Sequence, residues 1–121
     1  MPEPKTAGCM IIDDDGQHVV VLYTSDGLEL PKGRIGKKES MSEAAIREAE
    51  EEAGVKCKVK DLTPIMIDDT AFFVAEFVSG EVKPSGDAEK RIKDAGWVTI
   101  DYAAKNLVKS QRSVIKGYLN R

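Results

Sequence analysis

The sequence has few of the side chains that bind soft or borderline metal ions: one histidine and two cysteines among 121 residues. Cys9 and Cys57 fall in apolar, strand-like segments and belong to no CxxC or histidine-rich pattern. We therefore expect two buried, reduced thiols, with neither a disulfide nor a zinc site. His18 has no serine or cysteine nucleophile pattern around it, so we interpret it as an ordinary strand-end histidine.

Long apolar runs and an excess of positive charge are also missing. No run approaches the roughly 18 apolar residues of a membrane helix, and the first residues, MPEPKTAGCM, lack the layout of a signal peptide. The net charge of -3 argues against binding to a nucleic-acid polymer, whose phosphates favour a basic face. We expect one cytoplasmic domain over residues 1–121, with no membrane segment and no nucleic-acid polymer as partner. The sequence carries no signal for the oligomeric state.

Strand-like and helix-like segments intermix along the chain. Apolar patterning and turn residues predict strands at Thr6–Ile12, His18–Thr24, Leu28–Leu30, Val55–Lys60, Pro64–Ile67, Thr70–Ser79 and Trp97–Ile100. Residues 13–16 lack the spacing and the closing glutamate of a calcium loop, so we expect a solvated turn. Residues 80–95 are predicted to form a loop, with a helical turn near residues 88–93.

One helix has clear signals at both ends. Ser40 and Glu43 have the S-x-x-E spacing of a capping box, and Gly54 stands where a left-handed C-terminal cap is wanted. The helix is therefore predicted over Met41–Ala53. Two further helices are predicted near the end of the chain: one capped by Asp101 and running through Leu107, and one capped by Ser110 and running to Leu119.

Charge is concentrated between residues 32 and 55. The segment KGRIGKK carries four cations and no acid: Lys32, Arg34, Lys37 and Lys38. Its two glycines permit close approach of the backbone to a ligand, so the loop suits an anion such as a phosphate. An ordinary basic surface loop has the same composition.

Three carboxylates follow on the predicted helix. Glu48, Glu51 and Glu52 have i, i+3, i+4 spacing, which predicts a shared face opposite the small residues Ser42, Ala45, Ile46, Ala49 and Ala53. Like charges at these spacings cost a helix about 0.2 to 0.5 kcal/mol per pair. A bound Mg²⁺ or Mn²⁺ ion would offset the repulsion, since oxygen ligands favour hard cations. A solvated glutamate-rich face has the same pattern, and spacing does not decide between the two.

These residues resemble a known family signature, the Nudix box, G-x5-E-x7-R-E-U-x-E-E-x-G-U, in which U is a bulky aliphatic residue. The matching positions are Gly33, Glu39, Arg47, Glu48, Ala49, Glu51, Glu52, Gly54 and Val55. Every charged and glycine position agrees, and Ala49 is smaller than the usual aliphatic residue. The LPKG lead-in and the strand around Trp97, followed by a helix, extend the resemblance over most of the chain. It implies an α/β fold, the Nudix α/β/α sandwich with a mixed β-sheet.

The resemblance also implies a chemistry: metal-dependent hydrolysis of a phosphoanhydride bond by water attack on phosphorus. It makes Glu48, Glu51 and Glu52 the ligands of Mg²⁺, with Mn²⁺ as an alternative, and either Glu52 or Glu48 the catalytic base. Arg47 orients these carboxylates. The further candidates are Glu39 as a supporting ligand or partner, a backbone carbonyl near Lys32 or Gly33, and Glu89 as an extra ligand.

The substrate is expected to be a small molecule rich in phosphate. The LPKGR lead-in is similar to dinucleoside polyphosphate hydrolases, whereas GWVTIDYAAKNL resembles the end of diphosphoinositol polyphosphate phosphohydrolases. Lys32, Arg34, Lys37 and Lys38 are the predicted substrate-binding cations, with Lys90 and Arg91 as additions. Base stacking would need aromatic residues that we interpret as core: Tyr23, Phe72, Phe73 and Tyr102. A non-catalytic Nudix binding module is the alternative of another class, and the complete glutamate set argues against it.

Overall fold

The computed structural model describes residues 3–121 as eight strands and three α-helices. The strands are β1 (Thr6–Ile12), β2 (His18–Thr24), β3 (Gly27–Glu29), β4 (Lys32–Arg34), β5 (Lys56–Val59), β6 (Ile65–Ile67), β7 (Thr70–Ser79) and β8 (Ile92–Thr99). The helices are α1 (Met41–Ala53), α2 (Ile100–Asn106) and α3 (Arg112–Leu119), with a 3-10 turn at Lys109–Gln111 before α3. No helix among residues 3–121 is long and apolar enough to cross a membrane.

The sheet is mixed, with the strand path β3-β2-β1-β7-β5. β1 runs parallel to β7 along its whole length, from Thr6 opposite Thr70 to Ile12 opposite Glu76. β4 pairs antiparallel with the start of β1, and β2 pairs with its end. β6 adds to β7, and β8 adds to β2. β4 therefore lies beside the start of β1, the central strand of this path.

Each face of the sheet has its own apolar core. Alternating side chains of the central strands separate onto the two faces, as the period-two geometry of a strand requires. The α1 side holds Ala7, Cys9, Ile11, Val20, Leu22, Ala71, Phe73 and Ala75. The α2 and α3 side holds Met10, Ile12, Val19, Val21, Phe72 and Val74. The predicted α/β/α sandwich is confirmed.

The signals at the ends of α1 predicted its bounds correctly. The Ser40 hydroxyl accepts from the Glu43 backbone N–H, and the Glu43 carboxylate accepts from the Ser40 N–H. Gly54 has a φ of 74° and its N–H donates to the Glu50 carbonyl. A side-chain N-cap of this kind stabilises a helix by about 1 kcal/mol. The helix α1 thus has its ends set by local chemistry.

Three predictions near the end of the chain were wrong: a helical turn and the caps of two helices. The predicted helical turn at residues 88–93 is absent, since β8 begins at Ile92 and pairs with β2 from Thr24 back to His18. The Thr99 hydroxyl, not Asp101, caps α2 by accepting from the Tyr102 N–H. Ser110 lies in the 3-10 turn, and α3 begins at Arg112 with no side-chain cap. Pairing with β2 and packing on the sheet outweigh local signals here.

Loop and strand bounds elsewhere differ by a few residues. The basic loop begins with the short strand β4, because β1 offers it a pairing edge. The other shifts are β3 at Gly27–Glu29, β5 at Lys56–Val59 and β6 at Ile65–Ile67. Phe72 and Phe73 are buried as predicted, but Tyr23 and Tyr102 are 41% and 49% exposed, so their assignment to the core was wrong.

The cysteines and the histidine agree with their interpretation. Cys9 and Cys57 are free and buried, with their Sγ atoms 3.9 Å apart. His18 lies at the start of β2, where its Nδ1 is 2.7 Å from Oδ2 of Asp13. Asp13 and Asp15 also accept from backbone N–H groups of residues 17 and 18, which accounts for the turn.

Gly54→Ala is expected to lower the free energy of unfolding by about 1 to 3 kcal/mol. Its φ is positive, and a Cβ atom would lie 2.5 Å from the Lys83 carbonyl oxygen. Gly86→Ala is the matched control, because a Cβ there meets nothing within 4 Å. Urea unfolding of the two variants measures the difference. Equal effects of the two substitutions would contradict the role of Gly54 as a cap.

Candidate active site

The candidate site lies where α1 crosses β4. The buried face of α1 is built almost entirely of alanine, namely Ala44, Ala45, Ala49 and Ala53, so the helix axis can lie close to the sheet. β4 is held by pairing with β1, with Gly8 opposite Lys32. A Cβ on Gly8 would lie 2.4 Å from the Pro31 carbonyl oxygen. Small residues on both elements therefore permit the approach that forms the site.

Glu48 lies directly against the backbone of Gly33. A Cβ on Gly33 would be 2.1 Å from Cδ of Glu48 and 2.3 Å from either carboxylate oxygen. The Glu48 side chain is 12% exposed, and burial raises the pKa of its carboxyl, partly opposed by hydrogen bonding to Arg47. The glycine at position 33 is thus required by the carboxylate that occupies its side-chain space.

Glu52 is the most buried carboxylate of α1, with the residue 3% exposed. Its Oε1 accepts from the Lys32 backbone N–H at 2.8 Å, whereas its Oε2 is buried and has no hydrogen-bond partner within residues 3–121. Burial raises the pKa of Glu52 to about 7, opposed by the Lys32 N–H and assisted by the charge of Glu48. The prediction that Glu52 lies opposite the alanine face was wrong, because it follows Ala49 by three residues and shares that face.

Arg47 links three of the predicted site residues. Its Nε and Nη2 donate to the two oxygens of Glu39 at 2.6 and 2.9 Å. Its Nη1 donates to Glu48 at 2.8 Å and to Glu51 at 3.2 Å, and its Nη2 also donates to the Arg34 carbonyl at 2.8 Å. The carboxylates raise the pKa of Arg47, that of Glu39 contributing most. The guanidinium thereby fixes both the carboxylates and the backbone after β4.

The three predicted metal ligands do not converge on one point. Among residues 3–121, three potential ligand atoms lie within 4.8 Å of one another only at Asp13, Asp15 and His18, a partly exposed turn. Arg47 draws Glu48 and Glu51 toward its own nitrogen atoms, while Glu52 turns toward Lys32. The predicted stack of three carboxylates on one face is corrected to two held by arginine and one buried beside them.

The residues nevertheless fit a hard divalent cation. Glu52 offers a buried oxygen that lacks a partner, and a buried carboxylate oxygen without a donor costs free energy unless a cation or donor reaches it. The partly desolvated Glu48 carboxylate adds a second oxygen donor, and no sulfur or imidazole ligand is part of this set. The donor chemistry matches Mg²⁺ or Mn²⁺ rather than zinc.

The four predicted cations occupy different surroundings. Lys32 lines a cavity of about 200 Å³ together with Asp68, Thr70, Phe72 and Gln111. Arg34 lines a separate cavity of about 300 Å³ with Lys5. Lys37 and Lys38 are exposed in the loop before α1. Within residues 3–121, none of the four side chains makes an ion pair with a carboxylate.

Two contacts near the site were not predicted from the sequence: the ion pair of the buried Glu29 and the hydrogen bond of Ser85 to α1. Glu29 at the end of β3 is 6% exposed and binds Arg91, which the sequence had grouped with the phosphate-binding cations. Ser85 donates from its hydroxyl to the Glu51 carbonyl and ties residues 80–91 to α1. One signal in the sequence could have identified Glu29: it lies within a predicted strand, and acidic residues are uncommon in strands.

Comparison with known proteins gives one family and many similar folds. A family model described as the NUDIX domain matches residues 2–118. Comparison with curated protein sequences gives no match.

Three solved structures illustrate the likeness of fold. An Ap4A hydrolase from C. elegans has a TM-score of 0.76 at 20% identity, covering 96% of this chain and 96% of that chain. A NUDIX hydrolase from Nitrosomonas europaea has a TM-score of 0.79 at 21% identity, covering 98% of this chain and 90% of that one. A MutT protein from Methanosarcina mazei has a TM-score of 0.66 at 18% identity, covering 98% and 94%.

The stability of the metal-free protein is expected to fall as pH rises from about 4.5 to about 7. Over this interval the folded chain retains a proton on Glu52 that the unfolded chain has released, so deprotonation favours unfolding. Glu52→Gln removes this contribution and is expected to raise the free energy of unfolding near pH 8 by up to about 3 kcal/mol. Denaturant unfolding across this pH range, with a chelator present, measures the effect.

Glu50→Gln is the control, because it makes the same chemical change at an exposed position of α1. Its difference from the unsubstituted protein should be small and independent of pH. An equal gain in both variants at high pH would contradict the burial of an uncompensated carboxylate at Glu52.

Proposed function

Because the chain belongs to the NUDIX domain family, we propose that this hydrolase is a Mg²⁺-dependent pyrophosphohydrolase of nucleoside or dinucleoside polyphosphates. The observation that carries the proposal is the buried Oε2 of Glu52, which has no hydrogen-bond partner in the part of the chain that the structure describes. Glu48 packs against Gly33, Glu52 accepts from the Lys32 N–H, and the charge of Glu48 adds to burial in disfavouring an ionised Glu52, which a bound cation would relieve.

We assign the metal-binding role to Glu48, Glu51 and Glu52, with the Gly33 carbonyl as a further oxygen donor. Glu39 has the supporting role, since both of its oxygens already bind Arg47 and its Oε1 also accepts from the Gly36 N–H at 2.8 Å. A bound divalent ion would neutralise charge on the phosphate oxygens and lower the pKa of a water molecule. The chain itself fixes the positions of these oxygens: Arg47 holds Glu48 and Glu51 by hydrogen bonds, and Gly33 leaves space for the Glu48 carboxylate.

Proton transfer is assigned to the carboxylate of Glu52, with Glu48 as the second candidate. The water oxygen attacks phosphorus, the bond from phosphorus to the bridging oxygen breaks, and the leaving phosphate departs with the bond electrons. The Glu52 carboxylate accepts the proton of the attacking water. Burial raises the pKa of this carboxyl to about 7 in the metal-free chain, and a bound cation would lower it.

Phosphate binding is assigned to Lys32, Arg34, Lys37 and Lys38. Their segment extends from Gly33, which packs against Glu48, to the start of α1. Within the described residues, none of the four side chains forms an ion pair with a carboxylate. Such cations suit a substrate with several phosphates. The Arg34 carbonyl, held by Arg47, ties this segment to the carboxylates.

The remaining group of the substrate is assigned to the cavity beside Lys32. Its volume of about 200 Å³ is large enough for a nucleobase, and Asp68, Thr70, Ser110 and Gln111 provide polar groups around Phe72. The name of one similar structure, an Ap4A hydrolase, supports a nucleotide class. The free cations favour a second candidate, a diphosphoinositol polyphosphate, which needs no base pocket.

The assignment of Glu48 is tested with Gly33→Ala. A methyl group at this position displaces the Glu48 carboxylate, so we expect Mn²⁺ affinity to fall by about 10-fold or more. Electron paramagnetic resonance of free Mn²⁺ measures the affinity. Gly86→Ala, in open space, serves as the control and should bind Mn²⁺ like the unsubstituted protein. Unchanged affinity in Gly33→Ala would exclude Glu48 as a ligand.

The function is tested by measuring product release from a panel of compounds with and without Mg²⁺. The panel holds nucleoside triphosphates, an 8-oxo nucleotide, dinucleoside polyphosphates and a diphosphoinositol polyphosphate. We expect metal-dependent turnover that Glu52→Gln lowers by about 10²- to 10⁴-fold, with Glu50→Gln as the matched control.

Each other result has a distinct meaning. Tight binding without turnover would identify a non-catalytic module. Equal rates in Glu52→Gln and the unsubstituted protein would refute the assignment of the base. Turnover of the diphosphoinositol compound alone would select the second candidate.

A further inference from the structure

An ion pair with a buried carboxylate and a half-buried guanidinium lies beside the candidate site. Arg91 donates from Nη1 and Nη2 to the two oxygens of Glu29, at 2.8 and 3.1 Å. The Glu29 side chain is 7% exposed, and its Oε2 also accepts from the Thr24 hydroxyl at 2.9 Å. Both oxygens of Glu29 are thus occupied by donors, and the planar guanidinium of Arg91 has one orientation.

Glu29 begins the segment that contacts the site carboxylates. The backbone N–H of Leu30 donates to Oε1 of the buried Gln111 at 2.7 Å, and that of Lys32 donates to Glu52 at 2.8 Å. Gly33 then packs against Glu48. Residues 29–33 are therefore fixed at several points, and Arg91 is attached to the first of them.

Arg91 also holds an acid in the loop before β8. Its Nε donates to Oε2 of Glu89 at 3.2 Å, and the Ile92 N–H donates to the Glu89 carbonyl at 3.0 Å. Ser85 ties the same loop to α1 through the Glu51 carbonyl. The loop that carries Glu89 is thus bound to α1 at Ser85 and to Glu29 at Arg91, and after burial the charge of Glu89 also raises the pKa of Glu48 and of Glu52.

Stability alone does not explain this arrangement. The attraction between two buried charges offsets little more than the free energy of their desolvation. An apolar pair of similar volume is often as stable. The pair does, however, join the two segments that flank the site, residues 29–33 and residues 89–91. The geometry favours a role in which Arg91 orients a neighbouring group, the Glu89 carboxylate.

We propose that Glu29 and Arg91 are positioning residues: Glu29 fixes the guanidinium of Arg91, and Arg91 holds the carboxylate of Glu89 beside Glu48 and Glu52. The inference rests on the proposed metal-dependent function of that site. It assigns a purpose to a charge pair that contributes no atom to the set of Glu48, Glu51 and Glu52.

The test is a double-mutant cycle read out as Mn²⁺ affinity, by electron paramagnetic resonance on the full chain. Glu29→Gln is expected to weaken Mn²⁺ binding by about 10-fold. In the Glu89→Gln background, the same Glu29→Gln change should have no further effect, because the group that it positions is gone. In turnover, Glu29→Gln should lower kcat and leave KM for the substrate unchanged.

Asp101→Asn is the control, since it breaks an exposed ion pair with Lys105 on α2 and should leave Mn²⁺ affinity unchanged. Arg91→Lys, which keeps the charge but cannot bind both oxygens of Glu29, repeats the cycle if Glu29→Gln does not fold. A loss of stability with unchanged Mn²⁺ affinity, or an equal effect with and without Glu89, would overturn the proposal.

The measurement separates this inference from the proposed function. If Mn²⁺ binds and the cycle behaves as expected while no panel compound is hydrolysed, the positioning role stands and the function fails. If the panel is hydrolysed and Glu29→Gln binds Mn²⁺ normally, the function stands and the positioning role fails.

Discussion

The site depends on one constraint, the enclosure of the Glu48 and Glu52 carboxylates between α1 and β4. Lys32 compensates one oxygen of Glu52 through a backbone N–H, and Arg47 compensates Glu48 through its side chain. The contact of Lys32 with Glu52 requires β4 to lie close to the helix, and Gly33 permits that because Glu48 occupies the space of a side chain there. The pairing of β4 with β1 and the alanine face of α1 provide the approach.

Two arginines bind the carboxylates around this enclosure. Arg47 binds Glu39, Glu48 and Glu51, so one guanidinium contacts three carboxylates and offsets part of their charge. Arg91 likewise donates hydrogen bonds to two carboxylates, those of Glu29 and Glu89. Among residues 3–121, only Glu52 has a buried side-chain oxygen without a hydrogen-bond donor, and burial of its carboxylate raises its pKa to about 7. An incompletely satisfied carboxylate among satisfied ones is a common property of catalytic sites.

Local sequence predicted the parts of the fold whose stabilising contacts are local. The ends of α1 depend on Ser40, Glu43 and Gly54, all within a few residues of the backbone groups that they satisfy. Strand β8 was predicted too short because residues 92–96 become a strand only by pairing with β2, about 70 residues away. The side chains of Tyr23 and Tyr102 were misplaced for the same reason, since exposure depends on what packs above them.

The sequence by itself determined the identity and spacing of the acids and cations, and through their resemblance to the Nudix box it indicated the family and the mixed α/β architecture. Only the tertiary structure decided which carboxylate is buried. Glu51 and Glu52 are adjacent in sequence, yet one is 39% exposed at the side chain and the other belongs to a residue 3% exposed. The contact of Glu29 with Arg91 spans 62 residues, and a contact of that separation exists only after β2 has paired with both β3 and β8.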